Sequence, residues 1–191
     1  MSETIKDGTG KGYVVGVTKS NRLEVSSRVN KRIYYASRDS AGAYTVQFHC
    51  TQAVGGTGEG IGYIKNIGTD RINIKEIAFS TEEPATQITK FGVWRKPTVT
   101  GGTDRDPVNL NFASNNTPDT TIKEATNSGT VTITGGSSLY TIRMEGIGTQ
   151  VLDLHDAVIL GSSDIIGIIT NPATTGTKTI VNIMFDIQEG D

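Results

Sequence analysis

With 191 residues the chain can bury a serviceable core as one large β domain or two small ones, and one domain is the expectation. Twenty-one Ile stand against six Leu beside abundant Thr, and β-branched side chains of this kind suit a pleated surface and lose rotamer freedom in helices. A formal charge of -2 gives no general drive toward nucleic acid or an anionic membrane, and a single cysteine, Cys50, excludes an intrachain disulfide.

Met1 to Gly12 is polar and glycine-bearing with no apolar period, and reads as an extended arm. No charged start leads into an apolar run, and no stretch approaches the roughly 18 apolar residues of a membrane span. The chain is therefore expected to be made in a cytoplasm and to stay soluble. Leu23, Val25 and Val29 share a strand parity, and Ile33, Tyr34 and Tyr35 continue extended. Tyr44, Val46, Phe48 and Cys50 then alternate cleanly, which sends Cys50 inward and His49 outward.

Ala53 to Gly62 reads as a glycine-rich loop. Tyr63 to Ile67 and Ile72 to Phe79 flank Gly68, Thr69 and Asp70, a pattern that predicts a hairpin. Apolar parity slips between Ile74 and Ile77, so a bulge is expected near Lys75 and Glu76. Phe91 and Val93 share a face, with Trp94 on the other. Lys96 to Ser114 reads as a long excursion with one short extended segment at Val108 to Phe112. Thr130 to Thr134, then Tyr140, Ile142 and Met144 after a Gly135-Gly136-Ser137-Ser138 turn, predict two more strands. Val151 to Leu160 and Ile165 to Thr170 follow, separated by Gly161, Ser162 and Ser163. After a last turn at Asn171 to Thr177, the closing segment places Val181, Ile183, Phe185 and Ile187 on one face. Only Ser80 to Thr86 and Asn116 to Ala125 could hold a helical turn. Some ten or eleven short strands with loop punctuation and no fixed-period repeat point to an antiparallel sandwich or barrel.

Residues that could carry chemistry are few. Gly8 to Gly12 lacks the P-loop spacing, because position 5 is Ile and Lys11 is followed by Gly; Gly55 to Gly62 lacks a dinucleotide-binding spacing and a following helix. Both read as loops. Of the two histidines, His155 could pair with Asp153 at strand period two, whereas Asp156 falls on the opposite face. Cys50, inward and without a cation on its face, reads as an inert thiol. Asp104 and Asp106 have the i, i+2 pitch of calcium ligands, but Arg105 between them and the absence of completing oxygens make a solvated turn the better reading. Asn115 to Thr117 matches a glycosylation sequon and reads as a turn. Tyr13, Tyr34, Tyr35, Trp94 and Tyr140 could form a sugar-stacking or protein-binding surface, with core and interface duty favoured at 6% aromatic content. No catalytic, cofactor-binding or metal-binding set is assigned, and no pair of acids is singled out for glycoside hydrolysis.

Charge is unevenly spread. Residues 1 to 50 carry eight Lys/Arg against four Asp/Glu, while residues 146 to 191 carry one Lys against six acids. This would suit head-to-tail contact between subunits or a basic arm on an acidic partner, and it is also what ordinary solvated surface can look like.

The block Gly16-Val17-Thr18-Lys19-Ser20-Asn21-Arg22-Leu23-Glu24-Val25-Ser26-Ser27-Arg28-Val29, followed by Tyr63-Ile64-Lys65-Asn66-Ile67-Gly68-Thr69-Asp70 and an alternating strand, resembles virion proteins of tailed bacteriophages. The resemblance covers residues 1 to 79, and the remainder only in style. It implies a non-enzymatic capsid decoration (cement) or related virion protein, jelly-roll-like, acting as a homo-oligomer, a trimer favoured, on the major capsid protein or another virion protein. The expected organisation is an extended N-terminal arm over residues 1 to 30 and a single β-sandwich domain over 31 to 191. The arm is expected to cross a subunit boundary, with Tyr13 to Thr18 adding a strand to a neighbour's edge. Its candidate interface residues are Tyr13, Val15, Val17, Lys19, Arg22, Arg28, Lys31 and Arg32. A receptor- or carbohydrate-binding module of a tail fibre or spike is the alternative. No nucleic acid, membrane or cofactor is expected as a partner.

Overall fold

A computed structural model describes residues 42–51, 58–83, 87–126 and 130–188. The expected arm, the strand signals before residue 42, the Gly8 to Gly12 loop and all eight candidate interface residues from Tyr13 to Arg32 lie outside the described residues.

Among the described residues the regular structure is all β, without a helix. The strands are β1 (Ala43–Thr51), β2 (Glu59–Asn66), β3 (Arg71–Thr81), β4 (Ile88–Arg95), β5 (Thr98–Gly101), β6 (Thr103–Asp104), β7 (Val108–Asn109), β8 (Thr120–Glu124), β9 (Val131–Thr134), β10 (Ser137–Glu145), β11 (Gly148–Leu160), β12 (Ile165–Asn171) and β13 (Lys178–Gln188). A five-stranded sheet runs β11-β3-β13-β1-β7 and a six-stranded sheet β10-β4-β12-β2-β8-β6, while β5 and β9 pair separately. Their pairings are antiparallel. The two larger sheets form a β-sandwich: Phe79 of β3 and Phe91 of β4 meet across the layers with ring centroids 5.0 Å apart.

Alternation builds the core. In β1, Tyr44, Val46, Phe48 and Cys50 are buried while His49 is exposed, as the parity requires. In β13, Val181, Ile183 and Phe185 are fully buried and Ile187 half-buried, and the strand lies at the middle of its sheet between β1 and β3. The expected bulge falls on Lys75. Met184 pairs with Glu76 and Phe185 with Ile74, so Lys75 is left over, and its ammonium reaches buried Asp186 Oδ2 at 3.1 Å. On the other flank of β3 four residues of β11 stand against Lys75 alone, between Asp153 opposite Glu76 and Val158 opposite Ile74.

Four sequence expectations are corrected, the first being that residues 59–62 of the expected glycine-rich loop open β2. The segment Tyr63 to Phe79 is no hairpin, because β2 belongs to the six-stranded sheet and β3 to the five-stranded one. Buried Asn66 turns the corner: its Nδ2 donates to Asp70 O at 2.7 Å and Leu160 O at 3.1 Å, and its Oδ1 accepts from Gly68 N at 3.0 Å. The segments Ser80–Thr81 and Thr120–Glu124, considered for helical turns, are strand, since ladder partners in β13 and β2 satisfy their backbone groups. The Lys96 to Ser114 excursion contains β5, β6 and β7, and Phe112 sits in a turn beyond β7 rather than in a strand.

The pair β5 and β9 lies against the six-stranded sheet at glycines. A Cβ on Gly60 would come within 2.5 Å of Val131 O, and one on Gly167 within 3.1 Å of both Ile133 and Pro97. Side chains at those positions would hold the pair off.

Candidate functional site

The structure scatters the residues with chemical potential. His155 Nδ1 lies 3.3 Å from Asp153 Oδ1, the period-two pair foreseen, and both are exposed; the His155 backbone is left-handed (φ 45°), and its N–H also donates to Asp153 Oδ1 at 3.1 Å. His49 Nε2 meets Gln47 Oε1 at 2.6 Å on the outer face of β1, and Cys50 is buried on the other. No described residue links either histidine to a nucleophile. Among the described residues no group of three or more His, Cys, Asp or Glu could hold a metal ion.

Charged side chains converge along the side formed by β1, β6, β7 and β8. Glu124 of β8 is buried, and its Oε2 accepts from His49 N at 3.2 Å while Oε1 lies 3.4 Å from Arg105 Nη1. Arg105 Nε also donates to Gln47 O at 3.2 Å, so one Arg–Glu pair ties the six-stranded sheet to β1 of the other. Asp104 Oδ1 takes the Lys123 ammonium at 3.1 Å. In the candidate calcium turn Asp104 and Arg105 are thus taken up by internal ion pairs, while Asp106 is exposed. Burial raises the pKa of the neighbouring Tyr63 phenol above its ordinary 10.0, with Lys123 working against that rise and Asp104 adding to it. A groove of about 520 Å³ runs beside this cluster, lined by Thr45, Gln47, Asn182 and Asp104 to Asp106.

A second cluster has no signature in the sequence. Glu83, at 0% exposure, accepts from Thr89 Oγ1 at 3.2 Å and Thr177 Oγ1 at 2.6 Å on Oε2, and from Thr174 Oγ1 at 2.5 Å on Oε1. Its own N–H donates to Thr81 Oγ1 at 3.2 Å. These hydroxyls bind the stretch after β3 to the β12–β13 connection. Only the fold brings residues 91 to 94 positions apart into one cage, so spacing could not reveal it.

Exposed apolar groups include Ile67 and Ile147 in the turns after β2 and β10, and others at two sides of the sandwich. Val151 and Ile159 of β11 and Leu139 of β10 are exposed at one side, Val108 of β7 and Phe112 just beyond it at the other. Phe112 is 92% exposed although its turn is tied internally, with Ala113 N donating to Asn111 Oδ1 at 3.1 Å and Ser114 N to Asn111 O at 2.9 Å. The sequon turn is held likewise, Asn116 N donating to Ser114 Oγ at 3.1 Å. No family model matches the sequence, and no curated protein matches it.

Proposed function

We propose that this chain is a non-enzymatic virion structural protein of a tailed bacteriophage, a capsid decoration (cement) protein that binds the head as a homo-oligomer and stabilises it. The observation that carries the reading is strand order. Taking the eight long strands in sequence, the five-stranded sheet joins first, eighth, third and sixth, and the six-stranded sheet second, seventh, fourth and fifth. We read this interleaving as the two wrapped Greek keys of a jelly roll, an architecture used by viral capsid proteins among others. Fold analogy alone does not fix a function, so the resemblance of Gly16 to Val29 and Tyr63 to Asp70 to phage virion proteins bears the rest.

Surface chemistry agrees with a role through contacts. Glu83, Glu124 and Asp104 are occupied by hydroxyls or cations of the protein itself, whereas apolar groups are left in solvent. The tail-fibre alternative calls for exposed rings beside polar loops; among the described residues Trp94 and Tyr140 are only half-exposed, and Phe112 is the one ring standing fully in solvent. The test is binding of the purified chain to heads of the encoding phage stripped of it, followed by heating. Saturable binding that raises the temperature of genome release is expected; heads that neither bind the chain nor gain stability would sink the reading, and selective glycan-array binding would transfer it to the tail-fibre module.

A further inference from the structure

One edge of the sandwich carries an apolar cleft and the other an exposed aromatic ring. Between the edge strands β10 and β11 a cleft of about 260 Å³ opens, lined by Leu139, Val158, Ile159, Leu160, Ile165 and Ile166. Arg95, Lys96 and Asp164 also line it, and Lys96 is paired with Asp164 at 2.9 Å while Arg95 is exposed. A void of roughly 150 Å³ suffices for benzene, so this cleft has room for a phenyl ring. On the opposite side of the same molecule, beyond β7, Phe112 stands clear of the protein on its internally bonded turn. Asp106, exposed and two residues before β7, gives that side an acid where the cleft has the Arg95 guanidinium. Because β7 and β11 are the two edges of one sheet, no molecule can fill its own cleft with its own Phe112.

We infer that Phe112 of one copy inserts into the β10–β11 cleft of the next, a head-to-tail contact between copies of this chain. A second copy is the occupant argued for by the match of ring to cavity volume and by exposed Asp106 on the β7 side against exposed Arg95 at the cleft. A knob and a hole on different faces make a heterologous interface, which closes into a ring or continues as a chain according to the rotation between neighbours. Arg95 at the rim can lie over the inserted ring as a cation–π partner. The contact rests on the homo-oligomer part of the proposed function, but not on the identity of the particle.

The test uses the full chain in solution, without phage particles, with mass read by light scattering. Phe112→Glu and Leu139→Arg change exposed positions, so circular dichroism and melting should match wild type. Wild type should exceed the protomer mass, each variant should fall to the protomer, and an equimolar mixture should recover a dimer and nothing larger. Recovery follows because Phe112→Glu keeps an intact cleft and Leu139→Arg keeps an intact knob. A wild-type chain that stays a protomer at high micromolar concentration would assign the cleft to another partner and overturn the inference. So would a variant that keeps the wild-type mass, or a mixture that remains protomeric. Head binding by a protomeric wild type would overturn this contact and the homo-oligomer part of the proposed function, and leave the head-binding part standing.

Discussion

A carboxylate shut away from water needs donors to replace its hydration, and Glu83 finds them in the hydroxyls of Thr89, Thr174 and Thr177. Glu83→Ala would leave buried hydroxyls without their acceptor and should lower stability by about 1–3 kcal/mol. Glu83→Gln, which keeps one acceptor oxygen, should lose less. Urea denaturation of the two variants checks the order, and an unchanged midpoint for the alanine variant would show the hydroxyls satisfied elsewhere. Tyr44 tests the interior in another way. Its ring stacks on Phe185 at 5.5 Å, and burial raises its pKa above the ordinary 10.0. The fold therefore holds the phenol proton more tightly than the unfolded chain does. That contribution is complete below about pH 10 and is lost as pH rises toward the folded pKa. Stability should be flat through neutrality and fall above pH 10, and Tyr44→Phe should make the alkaline fall shallower; an identical fall in the variant would remove Tyr44 as a source.

At the scale of strands, close approach is set by missing side chains. Gly60 brings β2 near β9, and Gly60→Ala would drive a Cβ against Val131 O, a backbone atom that cannot rotate away. A cost of about 1–3 kcal/mol is expected for such overpacking, with faster amide exchange confined to β5 and β9; uniform protection in the variant would refute the close packing of that pair. Alternation made individual strands legible in the sequence: the parity of Tyr44 to Cys50, the inward set of β13 and the slip at Lys75 all stand in the structure. Partner choice was not legible. The Gly68-Thr69-Asp70 turn has hairpin composition, but Asn66 spends its side chain on Asp70 O and Leu160 O and sends β3 to the other sheet. Nothing in residues 63 to 79 specifies Leu160 as a partner. Likewise Phe112, Glu83 and the cleft residues carry no local pattern, because each depends on segments the chain brings together only when both sheets are complete.

The order in which those segments arrive governs the whole molecule. β13, the last strand, lies between β1 and β3 and pairs with both along most of its length, while β12 lies between β2 and β4 in the other sheet. Each central strand therefore follows both of its neighbours in sequence. Before β13 arrives, β1 and β3 have unpaired edges facing a gap, and Phe48, Ile77 and Phe79 lack the Val181, Ile183 and Phe185 layer that fills the space beside them. Such long-range closure costs loop entropy before contacts repay it, so folding should fall in the millisecond-to-second range of non-local β topologies. A chain ending at Gly176 should show no cooperative thermal transition, whereas adding a peptide of residues 177 to 188 should restore one by occupying the empty ladder between β1 and β3. Calorimetry of the truncated chain with and without the peptide decides the matter. A cooperative transition in the truncated chain alone would mean that the two sheets close without their central strand, and the dependence of the core on β13 would be wrong.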